Sequence, residues 1–190
     1  MRKILPQKFF KLPVLKAAKK LLGKFLVRRF KTKEIVLMIT EVEAYGGFRD
    51  KASHASRGRT DRNKIMFEKG GCFYVYFTYG RHWMLNIVIG PKNYPAAILI
   101  RGAVIALNNQ KIKLINGPAR LTKFLKIDKK FNSRRVNKKI GLWLEDRGFK
   151  IKPSQIIAAK RVGVDYAKEW ADKPYRFFIF DSVLAKSIKW

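Results

Sequence analysis

Ile39–Thr40–Glu41–Val42–Glu43–Ala44–Tyr45 reads as the end of a β-strand. β-Branched and apolar residues lead in from Glu34, and Gly46–Gly47 stops the run. Side chains alternate along a strand, so Glu41, Glu43 and Tyr45 share one face and Thr40, Val42 and Ala44 the other. Composition makes that first face unusual. The 190-residue chain has 13 Asp plus Glu against 43 Lys plus Arg, a formal net charge of +30. Two carboxylates beside an aromatic on so basic a surface mark either a half-exposed acidic strand or a chemical site centred on Glu43.

Outward from this strand, Lys24–Phe30 is its partner across a turn near Lys31–Lys33. Val14, Leu15, Ala18, Leu21 and Leu22 form a helical stripe between Pro13, suited to a first turn, and Gly23, suited to a stop. Residues 1–12 are a basic lead-in anchored by Phe9 and Phe10. Residues 46–70 lack apolar periodicity and hold Arg57, Arg59 and Arg62, whose guanidinium groups suit phosphate oxygens. A loop that long in a compact domain is usually functional. The clearest hairpin comes next: Phe73, Val75 and Phe77 alternate with Tyr74, Tyr76 and Thr78, Tyr79–Gly80–Arg81–His82 turns the chain, and Trp83–Gly90 returns.

Ala96–Val104 is an apolar strand interrupted by Arg101, a charge that needs a partner if it lies inside. Gly117–Pro118 opens a helix through Leu125, and residues 128–138 form a basic linker. Short strands are expected at Ile140–Leu144, Lys150–Pro153 and Tyr175–Phe180, with a helical turn over Val164–Ala171. The pattern is α+β: a single domain over residues 1–190, with a curved, mainly antiparallel, partly barrel-like sheet and flanking helices.

Lys and Arg recur along nearly the whole length, so a folded surface carries the charge. Nucleic acid is the leading partner, because neutralising phosphates releases condensed counterions. An anionic membrane surface ranks second. Cys72 is the only cysteine, which excludes an internal disulfide and a thiolate cluster; it reads as a buried small hydrophobe. With His54 and His82 the only histidines, no metal site is expected. Lysines interrupt every apolar run, so no secretory signal or membrane span is expected, and the setting is cytoplasmic or nucleoid.

Glu41–Val42–Glu43–Ala44–Tyr45, His54–Ala55–Ser56–Arg57–Gly58, Arg62–Asn63, Met66–Phe67, Tyr74–Val75–Tyr76–Phe77–Thr78–Tyr79–Gly80, Asn86 and Leu99–Ile100–Arg101 occur in this order. Together they resemble the 3-methyladenine (alkyladenine) DNA glycosylases, the single-domain purine glycosylases of bacteria and animals. Arg161–Val162–Gly163–Val164 and Lys173–Pro174–Tyr175–Arg176–Phe177 extend the likeness towards the C-terminus. Departures are Val42, Asp61 and Gly70, where Thr, Pro and Pro are common, and Gly102 after the arginine, which would loosen Arg101.

The resemblance implies roles. Glu43 is the general base that directs a water at C1′ of a flipped nucleotide, and Arg101 holds that water and the target phosphate while keeping Glu43 ionised. Tyr45 and His54 stack on one side of the base, Tyr76 stacks on the other, and Asn86 meets its edge. Tyr79 is the wedge that fills the vacated stack, and Arg57, Arg59 and Arg62 meet the DNA backbone. The implied partner is double-stranded DNA with damaged purines, bound by a monomer without cofactor or metal. Two other readings compete. A non-catalytic RNA- or ribosome-binding protein would bind in a salt-sensitive way and be indifferent to Glu43. An RNA-modifying accessory domain would prefer structured RNA.

Overall fold

The structure is a computed structural model in which residues 2–106 and 112–179 are described. The strand that opens the sequence reading is the longest, Lys33–Gly46 (β3), and it is preceded by β1 (Lys3–Ile4), helix α1 (Val14–Leu21) and β2 (Phe25–Phe30). The hairpin is β4 (Phe73–Thr78) and β5 (His82–Val88), followed by β6 (Ala96–Ala106), β7 (Ile112–Asn116) and helix α2 (Pro118–Phe124). β8 (Leu142–Asp146), β9 (Ile156–Ala159) and β10 (Arg176–Ile179) complete the described strands. All pairings are antiparallel, in the order β1-β8-β2-β3-β6-β5-β4, with β10 beside β3, β9 beside β10 and β7 beside β6. Among the described residues β1 and β4 do not pair, so the sheet stays open.

The alternation in β3 decides what is core. Val42 and Ala44 are completely buried in the main apolar cluster with Leu26, Ile98, Ile100 and Phe177, and α1 adds Ala17, Ala18 and Leu21. Gly23 ends α1 with φ of 77°, a conformation glycine adopts without penalty. The opposite face of β3 is left for chemistry.

Three departures from the sequence reading have local causes. Lys150–Pro153 forms no strand, because Pro153 opens a 3₁₀ turn (Pro153–Gln155) and pairing begins at Ile156. β8 starts at Leu142 rather than Ile140, after Gly141 takes φ of 71°. β1 and β7 went unforeseen: both residues of β1 are exposed, and β7 buries only Ile115, so neither shows an apolar alternation. Of the strand expected at Tyr175–Phe180, Arg176–Ile179 forms and Phe180 lies outside the described residues. The helical turn near residue 164 is a 3₁₀ segment, Asp165–Trp170.

Candidate active site

β3 and β6 carry two register irregularities that cancel. Ile39 faces Ala103 and Val42 faces Ile100, while between them Glu41 faces Gly102, leaving Thr40 and Arg101 as the extra residues. Such bulges re-aim side chains. Here the bulge sends the Arg101 guanidinium over the acidic face of β3, with Nε 3.0 Å from Glu41 Oε1 and Nη1 3.4 Å from Glu43 Oε1. Gly102 has a second effect that the sequence reading did not consider. A Cβ there would sit 3.1 Å from the Glu41 Cβ and 3.3 Å from its Oε2, so the glycine is what lets Glu41 lie close beneath the bulge.

The two carboxylates then divide. Glu41 also receives Arg176 Nη1 from β10 at 3.1 Å, so two arginines neutralise it. Glu43 has one arginine at longer range and a drier place. The side chain is 0% exposed, Oε2 accepts from the Tyr45 hydroxyl at 2.8 Å, and Oε1 accepts from the Val162 N–H at 2.8 Å. The half-exposed acidic face considered from sequence is therefore not what forms. Burial pushes the Glu43 pKa up, outweighing Arg101, the Val162 N–H and the Tyr45 hydroxyl, which pull it down. Arg101 acts in the expected direction, favouring the ionised carboxylate, but it is the smaller influence beside burial. Tyr45 is held protonated, its pKa raised by burial and by the adjacent Glu43 charge, so it stays a donor.

Glu43 forms part of the wall of a cleft of about 410 Å³ shared with Tyr45, His54, Tyr74, Tyr76 and Asn86. That volume suits a small planar ligand. His54 Nδ1 lies 3.0 Å from the Tyr74 hydroxyl; the residue is exposed on its outer side, and desolvation of the ring on the cleft side, with the nearby Arg62 charge, pushes its pKa down to about 4. Its ring meets Tyr76 edge-on, with centroids 4.7 Å apart. As placed, His54 and Tyr76 touch, so stacking a base between them requires the two rings to part. Asn86 is 3% exposed and donates to the Tyr74 carbonyl at 3.1 Å, which fixes its amide against the cleft.

Tyr79 stands at the mouth. It is 88% exposed at the hairpin tip, where Tyr79 and Gly80 both take positive φ (51° and 61°). Arg57, Arg59 and Arg62 are all exposed on the long segment, but two of them also serve rings: Arg62 lies 5.1 Å from the Tyr76 centroid and Arg59 lies 5.8 Å from that of Phe67. His82 begins β5 and also lines the cleft. Cys72 is buried, with its thiol pushed up to about 11, as suits an inert hydrophobe.

Three supports were given no role in the sequence reading, although Asn63 and Val162 stand in its motif blocks. Val162 acts through its backbone N–H, which no side-chain pattern reveals. Asn63, 1% exposed, ties residues 54–63 together by donating to the His54 and Gly58 carbonyls at 2.9 and 2.8 Å and accepting from the Thr60 N–H at 2.7 Å. Asp50 pairs with Arg161 in the interior. A second groove, about 1110 Å³, is lined by apolar side chains and lysines; its one carboxylate, Asp146, is tied to Lys24 at 2.7 Å. Among the described residues no three His, Cys, Asp or Glu side chains come together to hold a metal ion, and no helix is long and apolar enough to cross a membrane.

Comparison with known proteins gives the family. The family model described as "Methylpurine-DNA glycosylase (MPG)" matches residues 8–183. Three curated relatives carry the name "Putative 3-methyladenine DNA glycosylase". The one from Natranaerobius thermophilus is 37% identical over 94% of this chain and 96% of its own length. That from Borreliella afzelii is 45% identical over 85% and 88%, and that from Legionella pneumophila 40% identical over 96% and 97%. With its family match running through nearly the whole sequence, the chain belongs to the methylpurine-DNA glycosylases.

Proposed function

We propose that the protein excises alkylated or deaminated purines from double-stranded DNA by base flipping and a Glu43-activated water, acting as a monofunctional glycosylase. That it is a DNA glycosylase for alkylated purines follows from its family. The observation that carries the mechanism is the Glu43 carboxylate, dry and doubly hydrogen-bonded, in the wall of an aromatic cleft. A nucleotide extruded from the duplex would bring its base between the cleft rings. Alkylation at N3 or N7 gives the purine a positive charge, which π-faces favour by about 0.5–2 kcal/mol and which also makes it a better leaving group.

Glu43 takes a proton from water as the oxygen bonds to C1′. The electrons of the breaking C1′–N bond leave with the base, and the carboxylate stabilises the oxocarbenium-like sugar. Arg101 would help hold the water and the target phosphate, and Tyr45 and Asn86 would contact the base. Arg57, Arg59 and Arg62 are assigned to the DNA backbone, with Arg62 also backing Tyr76. We take residues 1–190 as one unit acting as a monomer on intracellular DNA.

Incubation with methylated duplex DNA followed by separation of free bases tests the reading. Release of 3-methyladenine or 7-methylguanine is expected, and binding without release would overturn it in favour of a non-catalytic binder. The raised Glu43 pKa gives a sign for pH dependence. The base works only when ionised, so single-turnover excision should rise with pH through the Glu43 pKa and fall about tenfold per unit below it. A rate flat down to pH 4 would show that this carboxylate is not the base.

If Tyr79 is the wedge, Tyr79→Ala should weaken binding to lesion-containing duplex about tenfold, the value of one lost stacking contact. Lys16→Ala, which removes one surface charge on α1, should change it less than about threefold. Equal losses in a titration would remove the wedge assignment.

A further inference from the structure

Behind the cleft wall lies an ion pair for which the proposed chemistry has no direct use. Arg161 and Asp50 are each 0% exposed at the side chain, and they meet in a two-pronged contact: Nη1 to Oδ2 at 2.6 Å and Nη2 to Oδ1 at 2.8 Å. Neither residue lines the cleft. The remaining bonds of the pair go to backbone next to the cleft wall, and of those residues Ala52 itself lines it. Arg161 Nη1 donates to the Ala44 carbonyl at 2.9 Å, between Glu43 and Tyr45, and Nη2 donates to the Trp170 carbonyl at 3.0 Å. Asp50 accepts from the Gly46 and Ala52 N–H groups at 3.0 and 3.1 Å. The Arg161 guanidinium carbon lies 4.8 Å from the Tyr45 ring centroid. The next residue, Val162, is the one whose N–H reaches Glu43.

We propose that the buried Asp50–Arg161 pair is a positioning clamp, holding the Val162 N–H on the Glu43 carboxylate and backing the Tyr45 ring. The clamp joins segments more than a hundred residues apart: the end of β3, the turn after it and the 161–170 stretch. A buried pair of this kind is a poor source of net stability, because desolvating both charges offsets their attraction. Its fork geometry is better suited to fixing direction, and four acceptors fix the guanidinium in one orientation. The clamp acts only through other groups, so Asp50 and Arg161 are positioning residues.

This inference rests on the glycosylase reading for its effect on rate but has a readout of its own. Arg101 from β6, Glu41 and Tyr45 from β3, Arg176 from β10, Tyr76 from β4 and the clamp itself are the charged or titratable groups around Glu43. A variant that loosens the clamp leaves Arg101, Glu41, Arg176 and Tyr76 in place, withdraws the Val162 N–H and leaves Tyr45, the second donor to Glu43, less firmly backed, so both changes act in the same direction. Loss of a donor to the ionised form raises a carboxylate pKa, here by about one unit. Arg161→Lys keeps the charge but loses the fork; Asp50→Asn keeps the shape but loses the charge. The ¹³C signal of the Glu43 carboxyl, assigned by its disappearance in Glu43→Gln, should titrate about one unit higher in either variant. The acid limb of single-turnover excision should move by the same amount, with wild-type rate recovered at high pH and lesion affinity changed less than about threefold. A lowered melting temperature with an unmoved Glu43 titration would mean a purely structural pair and would overturn the clamp. If Asp50→Asn does not fold, the Arg161→Lys titration decides alone. A wild-type protein that released no base would sink the proposed function, while the carboxyl titration would still report on the clamp.

Discussion

Glu43→Gln is expected to lower single-turnover excision of alkylated purines by about 10²–10⁴-fold, the usual worth of a positioned general base, while leaving the fold intact. Intact folding follows from the surroundings of the side chain. The amide oxygen can accept from the Val162 N–H, and the Tyr45 hydroxyl can turn to accept from the amide nitrogen. Arg101 keeps its 3.0 Å bond to Glu41. What the substitution removes is a carboxylate whose charge is costly in this dry place. Because the folded-state pKa lies above the unfolded one, the native protein binds the extra proton between those values, and the stability contributed by Glu43 falls as pH rises through that window. The glutamine variant should therefore melt at the wild-type temperature or slightly above it at pH 8. Affinity for lesion-containing duplex should change less than about threefold. Calorimetry, a binding titration and a rate measurement on one preparation separate the cases: normal excision by this variant would remove Glu43 from the chemistry, and a collapsed melting temperature would make the lost rate uninformative.

The parts of this molecule legible in the sequence are those encoded by local pattern. The period-2 alternation of β3 gave both its extent and the burial of Val42 and Ala44, and it put Glu43 and Tyr45 on one face, where they bond to each other. Aromatic alternation and the turn glycine Gly80 gave the β4–β5 hairpin, whereas the positive φ of Tyr79, which a bulky side chain rarely adopts, has no sequence signal. Arg101 was legible as a buried charge in want of a partner, but not as a bulged residue, since the two register shifts depend on how β3 and β6 meet. Long-range polar bonds leave no periodic trace. Asp50 pairs with a residue 111 positions away, and Val162 contributes a backbone group every residue but proline has. Composition was ambiguous for Arg62, since a guanidinium suits a phosphate and an aromatic face alike, and here it lies over Tyr76. β7 went unread for another reason: only Ile115 of Ile112–Asn116 is buried, so it shows no alternation although all five residues pair with β6.

The bulge that brings Arg101 over β3 makes its removal the second large expected effect. In Arg101→Ala, Glu41 retains Arg176 at 3.1 Å, so only part of its neutralisation is lost. Glu43 loses its only arginine partner within 4 Å among the described residues and keeps two neutral donors, with the Glu41 charge now less screened. Its pKa should rise further. Excision at pH 7 is then expected to fall at least about 100-fold: fewer molecules hold the base ionised, and the guanidinium assigned to the water and phosphate is gone. Stability should follow the same titration. Stripping one partner from a largely buried pair commonly costs about 3–5 kcal/mol, but Glu43 escapes much of that by taking a proton when pH allows. The deficit relative to wild type should thus be fullest near pH 8 and shrink as pH falls through the raised pKa. Adding Glu43→Gln to Arg101→Ala removes the unpaired charge and should restore most of the lost melting temperature at pH 8, without restoring excision. Melting curves at pH 5 and pH 8 for the single and double variants decide the matter. A deficit independent of pH, or one the second substitution fails to relieve, would mean that Arg101 supports the sheet through Glu41 alone and has no hold on the carboxylate at position 43.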